Sequence, residues 1–402
     1  MADTMLDGVK VLDLSQLIAG PYCAKLLADY GAEVIKVEPP EGEPSRRLSP
    51  FAQNDPNIEK SGVFMALNTN KKSITLNLNT TSGQNILRRL AREADILVES
   101  FNPDTMEGWG LGYEELEQVN PRLVMISITP FGQTGPFKNY RGSEMTVYAM
   151  SGVMWVTGGP DDNPLKMADY ASSGLSGASA CIATLAAYFG VQFNGLPGQH
   201  IDFSLQESQA SSIDRGGTNL LAAAYSGSLY FYRALALSTS LMPVGNYPCQ
   251  DGFIHMSPNP AWWDRFCRML DRPDMTNDPN FTQNLFNLEK IPEIEAILIP
   301  WVYEHGKQWI MEKAQAEGFA ITAVNTMEDT FKDPHLKSRD FFTEMDHPEA
   351  GKVVYPGPPF RPELAPRLVG KAPLLGEHNV EVYEGLGYTK QDMVILRERG
   401  VI

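Results

Sequence analysis

The stretch from Val9 to Gly42 constrains this chain most, because it has the pattern of two parallel strands joined by a helix. An apolar run ends at Asp13, a helical pattern follows, and a second apolar run stops at Pro39. Gly31 stands where the helix would end in a left-handed conformation. A strand, a crossover helix and a parallel strand form a βαβ unit, so the chain opens with an α/β domain.

The loop inside this unit sets a second constraint. A dinucleotide-binding unit carries G-x-G-x-x-G there, which lets the backbone approach a pyrophosphate. In this chain residues 15–21 are SQLIAGP. The pattern is that of a nucleotide-binding fold without its phosphate-binding glycines, so the loop binds something else or binds differently.

Composition narrows the function classes. A length of 402 residues allows two or three domains. The net charge of -16 argues against nucleic acid or an anionic membrane as a partner, although a local basic pocket for a phosphate-bearing ligand stays compatible with it. The four cysteines lack C-x-x-C spacing and the six histidines lie far apart, so we expect neither a disulfide framework nor a metal site.

Two segments bear on targeting and membrane insertion. The N-terminal MADTMLDG has no basic and apolar regions of a signal peptide, and a cytoplasmic location is expected. Residues 171–191 are long and fairly apolar but rich in Ala, Gly and Ser, without flanking positive charge. This composition favours a tightly packed buried helix over a membrane span.

Alternating patterns continue the α/β architecture. Strands are predicted near 73–78, 95–99, 123–128 and 200–205, and helices over 83–94 and 113–119. The alternation predicts a Rossmann-like large domain, with a mostly parallel sheet and helices on both faces.

The pattern changes near residue 225 and predicts a smaller, helix-rich α+β domain. Residues 225–232 and 242–247 are irregular and aromatic, and a turn at 250–252 leads into a short strand. Helices are predicted over 260–270, 291–305 and 307–317. The predicted organisation is a large domain over 1–224, a small domain over 225–320, and a segment over 321–402 that returns to the large domain.

Local motifs alone do not give the chemistry, since the chain has no H-E-x-x-H, G-x-S-x-G or P-loop. Several segments in order do resemble family III CoA transferases, the CaiB/BaiF family. They are DLSQLIAGPYCAKLLADYGAEVIKVEPPEG at 13–42, KKSITLNL at 71–78, ILVESFNPDTMEGWGLGYEELEQVNPRLVMISITPFGQTGP at 96–136, SGVMWVTGGP at 151–160, MADYASSGLSGASACIATLAAYF at 167–189, GQHIDFSLQES at 198–208, and APLLGEHNVEVYEGLGY at 372–388.

The resemblance implies a nucleophilic aspartate, and the matching residue is Asp169. A carboxylate can attack an acyl-CoA thioester to give a mixed anhydride, and the released thiolate then gives an aspartyl-CoA thioester. An acceptor carboxylate resolves that thioester. The carboxylate should lie away from bulk water, because hydrolysis of the anhydride would waste the thioester. The alternative is that Asp169 only caps the helix that begins near Ala171.

Other family positions map to CoA-binding and thioester-facing roles. The resemblance places Gln16, Gly132 and Gln133 towards the thioester, and Glu144 less surely in the same neighbourhood. Asn102 departs from an arginine common in the family, which weakens one phosphate contact. The implied CoA-binding residues are Gln16, Ala19, Glu38, Arg46, Arg47, Lys72, Ser100, Phe101 and Met106, with Lys71 as a further candidate for a phosphate contact.

Two other functions compete with CoA transfer. An α-methylacyl-CoA racemase shares the family fold but needs a histidine where this chain has Ser143, and serine cannot act as the second base. A non-catalytic subunit of a paired transferase would not need Asp169. The loop Ser257–Pro260 lacks the glycine run of oxalate-type members, which argues against formyl-CoA:oxalate transfer.

The resemblance also implies the partners. Acyl-CoA and a carboxylic acid would be the substrates, with no tightly bound cofactor, and the protein would form an interlocked homodimer. An apolar acyl pocket could draw on a set of large side chains, although core packing is the preferred explanation for them. They are Tyr225, Tyr230, Phe231, Tyr232, Met242, Trp262 and Trp263.

Overall fold

A computed structural model describes residues 4–158, 163–212, 216–227, 242–257, 259–363 and 370–402. The chain divides into two compact units. The first comprises Met1–Trp155, Leu165–Gly217 and Ser338–Ile402, and the second comprises Val156–Pro164 and Thr218–Lys337. The predicted small domain, 225–320, lies within the range of the second unit.

The first unit is built on a six-stranded sheet in which every pair of neighbouring strands is parallel. Its strands are β1 Lys10–Asp13, β2 Glu33–Glu38, β3 Lys72–Thr75, β4 Ile96–Glu99, β5 Val124–Thr129 and β6 Gln199–Ser204. The order across the sheet is β3-β2-β1-β4-β5-β6. The predicted α/β class and parallel sheet are confirmed.

Helices connect and follow these strands. They are α1 Ala19–Asp29, α2 Gly62–Leu67, α3 Thr81–Ala91, α4 Thr105–Gly108, α5 Tyr113–Val119, α6 Glu144–Met150, α7 Ala171–Phe193, α8 Leu205–Ala210 and α9 Gly216–Ser226. Alternate strand residues point to opposite faces. Leu12 joins a core cluster that contains Leu87 of α3, whereas Val11 joins another that contains Cys23 of α1 and Cys181 of α7. The sheet is therefore covered by helices on both faces.

Helix α7 differs from the expectation of a fully buried helix. Its small residues pack inward, and a Cβ atom added to Gly177 would lie 2.5 Å from the carbonyl oxygen of Ala19 in α1. On the other side Leu175, Ile182 and Phe189 are exposed by 55%, 70% and 55%. The prediction is wrong for that side, because small residues allow close packing along one stripe only. By length and composition alone, α7 is also long and apolar enough to cross a membrane.

The second unit has its own antiparallel sheet, in the order β7-β8-β9. Its elements are β7 Gly245–Cys249, β8 Gly252–Met256, α10 Trp263–Met269, α11 Pro279–Thr282, α12 Ile291–Tyr303, α13 Lys307–Ala316, β9 Ile321–Ala323, α14 Met327–Lys332 and α15 Pro334–Ser338. A separate core includes Phe266, Leu298 and Ile310.

Two local predictions for this region are corrected. Residues 245–247, expected to be irregular, belong to β7. Pro248 is tolerated because β7 is an edge strand, where proline's missing N–H need not join the ladder. Tyr225 lies at the end of α9, and Tyr230, Phe231, Tyr232 and Pro258 fall outside the described residues.

The chain then returns to the first unit. Its last elements are the hairpin of β10 Phe342–His347 and β11 Gly351–Pro356, followed by α16 Asn379–Gly385 and α17 Lys390–Glu398. Tyr383 of α16 is fully buried and its hydroxyl donates to the carbonyl oxygen of Thr75 at 2.7 Å. The C-terminal helices are thereby fixed to β3.

Candidate active site

The strand order reverses between β1 and β4, and open α/β sheets bind ligands beside the carboxyl ends of strands at such a point. The loops that follow these two strands meet there. The backbone N–H of Gln16 donates to Ser100 Oγ at 2.8 Å. The structure therefore brings together two of the predicted CoA-binding residues, which lie 84 positions apart in the sequence.

Three successive backbone amides of the first loop are already bonded by side chains. Ser15 N–H donates to Asp13 Oδ1 at 3.0 Å, Gln16 N–H to Ser100 Oγ, and Leu17 N–H to Glu43 Oε2 at 3.2 Å. In a dinucleotide-binding fold, amides of this loop and the following helix face a pyrophosphate. Here two carboxylates and a serine hydroxyl accept from these three amides, so the amides are already engaged without a pyrophosphate.

A buried ion cluster supports this loop from below. Asp13 Oδ2 accepts from Lys71 Nζ at 2.8 Å and lies 3.5 Å from Lys36 Nζ. Burial opposes ionisation of Asp13, but the two lysines outweigh it and hold its pKa below the usual range. Burial lowers the pKa of Lys71 to about 8 despite the attraction of Asp13. Lys71 therefore supports the loop from inside, and its ammonium group faces the protein interior.

The loop after β4 places Phe101 and Met106 differently. Phe101 is half-buried against Trp109, with ring centroids 5.1 Å apart, and its N–H donates to Glu99 at 2.6 Å. Met106 is buried in the core. Phe101 stays a candidate ligand contact, whereas the packing of Met106 supports only a role in the core.

The contacts of Glu38 and Arg46 correct their prediction as CoA-binding residues. Both side chains are fully buried, and Arg46 Nε and Nη2 bind the two oxygens of Glu38 at 2.6 and 2.8 Å. Arg46 Nη1 also binds Glu59 at 2.7 Å, and its guanidinium lies 3.6 Å from the ring centre of Phe64. These groups bind each other, so the geometry gives them a structural role. Arg47 is exposed and stays a candidate for a phosphate contact.

Lys72 lies at the wrong edge of the sheet for the predicted role. It begins β3, and its ammonium binds Glu33 at 2.6 Å and Glu381 at 2.7 Å. Glu33 begins β2, so this ion pair marks the amino ends of the parallel strands. The site at the carboxyl ends is at the opposite edge.

Asp169 lies directly before α7 and adopts a left-handed conformation, with φ of +39°. Aspartate is among the few residues that tolerate this conformation. It is exposed and lines a cavity of about 750 Å³. The other lining residues are Ser49, Pro50, Phe51, Asn54, Val63 and Tyr170. The described residues do not give Asp169 the expected shelter from water.

The alternative role of Asp169 as a helix cap does not fit this geometry. Tyr170 is the N-cap residue of α7, and its side chain makes no capping hydrogen bond. The amide of Ser172 instead donates to Glu144 Oε1 at 3.2 Å. Among the described residues, no hydrogen bond or ion pair engages the carboxylate of Asp169.

Glu144, which the resemblance placed less surely in this neighbourhood, contacts the turn that carries Asp169. Its Oε1 also binds Lys166 Nζ at 3.2 Å, and that ammonium reaches the carbonyl oxygen of Met167 at 2.7 Å and that of Asp169. Glu144 Oε2 is buried, with no hydrogen-bond partner in the described part of the chain. A Glu–Lys pair therefore holds the turn that presents Asp169.

The remaining predicted residues are less directly placed. Gln133 N–H donates to Asp202 Oδ1 at 2.8 Å, so this amide is engaged while the side chain is half-buried. Gly132 has φ of +85°, which glycine adopts readily. Ala19 is buried where α1 meets α7. Ser143, at the position of a racemase histidine, caps α6 in a capping box with Thr146.

Sequence reasoning missed Asp13, Lys36 and Glu43. Asp13 and Lys36 could have been found from the sequence, because each is a charged residue with apolar residues on both sides within a strand pattern. Within the described ranges, no group of three or more His, Cys, Asp or Glu side chains could hold a metal ion.

The fold and site define a Rossmann-like α/β enzyme with an unengaged carboxylate at the start of a long helix. The model of CoA-transferase family III matches residues 6–379, and the chain belongs to that family.

Individual relatives agree with this assignment. The chain is 30% identical to the succinyl-CoA--D-citramalate CoA-transferase of Chloroflexus aurantiacus, over 99% of this chain and 98% of that one. It is 31% identical to the succinate--glutarate CoA-transferase of Agrobacterium fabrum, over 94% of each. A CaiB/BaiF family protein from Brucella suis superposes with a TM-score of 0.84 at 28% identity, over 96% of this chain and 100% of that one. The protein is a CoA-transferase, and CoA thioesters are the substrates of this class.

Proposed function

We propose that Asp169 carries CoA transfer between two carboxylic acids through covalent intermediates. The carboxylate attacks the donor thioester carbonyl, the C–S bond breaks, and CoA thiolate leaves a mixed anhydride on Asp169. The thiolate attacks the aspartyl carbonyl, which releases the donor acid and leaves aspartyl-CoA.

The second half of the reaction reverses these steps with the acceptor. The acceptor carboxylate attacks aspartyl-CoA, expels CoA thiolate and forms a second anhydride. The thiolate then attacks the acceptor's acyl carbonyl, which gives the new acyl-CoA and restores the Asp169 carboxylate. The four steps together consume no proton and no cofactor. The balanced reaction therefore requires neither a metal ion nor a nucleoside triphosphate.

One observation carries this proposal: Glu144 takes the capping position at α7 and the Asp169 carboxylate is left unengaged beside a cavity. A purely structural aspartate would use its carboxylate for the nearby amides. The Lys166 contacts fix the backbone of the turn, so the nucleophile is held in place before a substrate arrives.

For the substrates, we propose succinyl-CoA as donor and a dicarboxylic acid as acceptor. This rests on the relatives named above, whose activities join succinate with citramalate or glutarate. A panel of mono- and dicarboxylates, assayed for the new acyl-CoA by mass spectrometry, tests the acceptor. A clear preference for a monocarboxylate acceptor, or for formyl-CoA over succinyl-CoA as donor, would contradict the proposal.

We further propose that the protein works as a homodimer in the cytoplasm. Leu175, Ile182 and Phe189 recur every seven residues on the exposed side of α7. A second copy would remove this apolar stripe from water. Sedimentation should show a dimer at low micromolar concentration, and Ile182→Glu should weaken it. A stable wild-type monomer would contradict the proposal.

The covalent mechanism is tested by trapping the intermediate. Incubation with an acyl-CoA donor, followed by denaturation and peptide mass spectrometry, should give a CoA adduct on the peptide containing Asp169. Asp169→Ala should abolish the adduct and lower turnover at least ~1000-fold. Asp7→Ala is the control, because it removes an exposed carboxylate that is far from Asp169 in the sequence. Unchanged turnover in Asp169→Ala would contradict the role of Asp169 as nucleophile, whereas a wild-type protein without turnover would leave the non-catalytic-subunit alternative.

A further inference from the structure

Glu43 is a buried carboxylate that connects two segments of the site. Its side chain is almost fully buried, with 1% exposure. Oε2 accepts from Leu17 N–H at 3.2 Å and from Ser45 N–H at 2.9 Å, and Oε1 binds the Ser45 hydroxyl. Its own N–H donates to Glu38 at 3.3 Å. One oxygen thus holds a backbone amide from each segment.

The first segment is the loop after β1, in which Leu17 is strained. Leu17 has φ of +64°, in the left-handed region that a bulky side chain rarely adopts. Its side chain is 47% exposed, between Gln16 and the buried Ile18. Such a conformation persists only where the surroundings fix it. The hydrogen bond from Leu17 N–H to Glu43 is the contact that fixes it here.

The second segment is a short 3-10 turn, Pro44–Arg47, for which Glu43 is the N-cap. The chain continues from this turn into Ser49, Pro50 and Phe51, which line the cavity beside Asp169. The backbone of the turn is also fixed by the Ser61 hydroxyl, which donates to the carbonyl oxygen of Ser45 at 2.8 Å. The position of this cavity wall therefore depends on the same carboxylate as the first loop.

We propose that Glu43 is a positioning residue for CoA binding, which holds Leu17 in its left-handed conformation and fixes the first loop to the wall of the Asp169 cavity. The proposal rests on the proposed function, since it takes the first loop as part of the CoA site. What matters is reach: the side chain must be long enough to span from the turn to Leu17. The negative charge is not required, because an amide oxygen accepts the same hydrogen bonds.

Two variants separate reach from charge. Glu43→Asp keeps the charge and can still cap the turn, but it is one methylene too short to hold Leu17. Glu43→Gln keeps the length, since its oxygen can accept from Leu17 and Ser45 while its amide donates to the Ser45 hydroxyl. Glu41→Asp is a matched control, because Glu41 is exposed on the same segment.

The experiment measures binding of coenzyme A by calorimetry, without any transfer reaction. Glu43→Asp should weaken binding about 10-fold, the effect of losing one hydrogen bond to a charged group. Glu43→Gln should stay within about 3-fold of the wild type. Thermal unfolding is measured in parallel. For Glu43→Asp, the free energy of unfolding should change less than the free energy of coenzyme A binding.

A glycine at position 17 gives a second measurement. Glycine adopts a positive φ without strain, so in a Leu17→Gly background Glu43→Asp should weaken binding by no more than about 3-fold, in a double-mutant cycle. Equal losses in both backgrounds would overturn the proposal. So would wild-type affinity in Glu43→Asp, a loss in Glu43→Gln as large as in Glu43→Asp, or no binding of coenzyme A to the wild type.

These outcomes are independent of the covalent mechanism. If Asp169→Ala keeps full turnover while Glu43→Asp still binds coenzyme A weakly, the role of Asp169 fails and that of Glu43 stands. If the aspartyl adduct forms but Glu43→Asp binds coenzyme A normally, the role of Asp169 stands and that of Glu43 fails.

Discussion

Gln16 and Ser100 join the loops of β1 and β4 at the point where the strand order reverses. The amide of Gln16 donates to Ser100 Oγ at 2.8 Å, and the Ser100 hydroxyl lies 3.5 Å from the Gln16 carbonyl oxygen. The pair lies at the point where an open α/β sheet binds its ligand. A serine hydroxyl is the acceptor for a loop amide there.

Ser100→Ala removes this acceptor and leaves the Gln16 amide to find another. A net loss of about 1 kcal/mol corresponds to a rise of about 5-fold in KM for the acyl-CoA, with kcat nearly unchanged. Steady-state kinetics measure both constants. Ser82→Ala, at an exposed serine early in α3, is the control. A fall in kcat without a change in KM would show that the pair does not act through binding.

The parallel sheet could be predicted because the alternation of strands and helices depends on residues close in sequence, where periodicity is a reliable guide. The site residues Gln16, Ser100 and Asp169 came from the resemblance and not from periodicity. The strand order, which brings Gln16 and Ser100 to one edge of the sheet, is visible only in the structure.

The charged side chains could not be placed in this way. Lys71 and Lys72 are neighbours, yet one reaches Asp13 in the interior and the other binds Glu33 at the opposite edge. Arg46 is surrounded by Glu38 and Glu59, a partnership that only the tertiary fold creates. A basic residue in a ligand-binding segment and one in a buried ion pair have the same sequence signal.

Glu99 gives a pH dependence that can be isolated by mutation. Burial raises the pKa of Glu99 to about 7 from its ordinary value of 4.5, although Ser127 and the amide of Phe101 donate to it. Ser127 also contacts His200 Nε2 at 2.8 Å, and the nearby Glu107 raises the pKa further. Between these two pH values the folded state binds more protons than the unfolded state. Stability due to Glu99 is therefore present below pH 4.5 and lost as pH rises to 7.

Glu99→Gln should remove this dependence. The free energy of unfolding of the wild type should fall by up to about 3 kcal/mol more than that of the variant between pH 4.5 and 7. Urea unfolding at both pH values measures the difference, and other titrating groups cancel in the comparison. Parallel curves for the two proteins would mean that Glu99 keeps an ordinary pKa.

Glu144 should affect the rate more than the binding of CoA. Glu144→Gln keeps an acceptor for Ser172 N–H but weakens the hold on Lys166, so we expect kcat to fall about 10-fold. Glu144→Ala loses both contacts and should cost about 100-fold. Single-turnover formation of the Asp169 adduct measures the step directly. Glu114→Gln on the surface of α5 is the control. Equal rates in Glu144→Gln and Glu144→Ala would show that the contact with Ser172 contributes nothing.

Helix α7, which follows the Asp169 turn, packs on α1, which follows the first loop, and two glycines of α7 test this packing. A Cβ atom at Gly177 would lie 2.5 Å from the carbonyl oxygen of Ala19 and 3.2 Å from Cβ of Tyr22, whereas one at Gly174 would meet nothing within 4 Å. Both replacements gain the helix propensity of alanine, about 1 kcal/mol. Gly177→Ala must also push α1 and α7 apart, at a cost of about 1–3 kcal/mol.

We therefore expect Gly177→Ala to lower the free energy of unfolding by up to about 2 kcal/mol and Gly174→Ala to leave it unchanged or raise it by up to about 1 kcal/mol. Chemical denaturation measures both. Because Ala19 belongs to the first loop's helix, Gly177→Ala should also raise KM for the acyl-CoA, while Gly174→Ala should not. If the two variants are equally stable, the helices have room to separate and the close contact does not position the site.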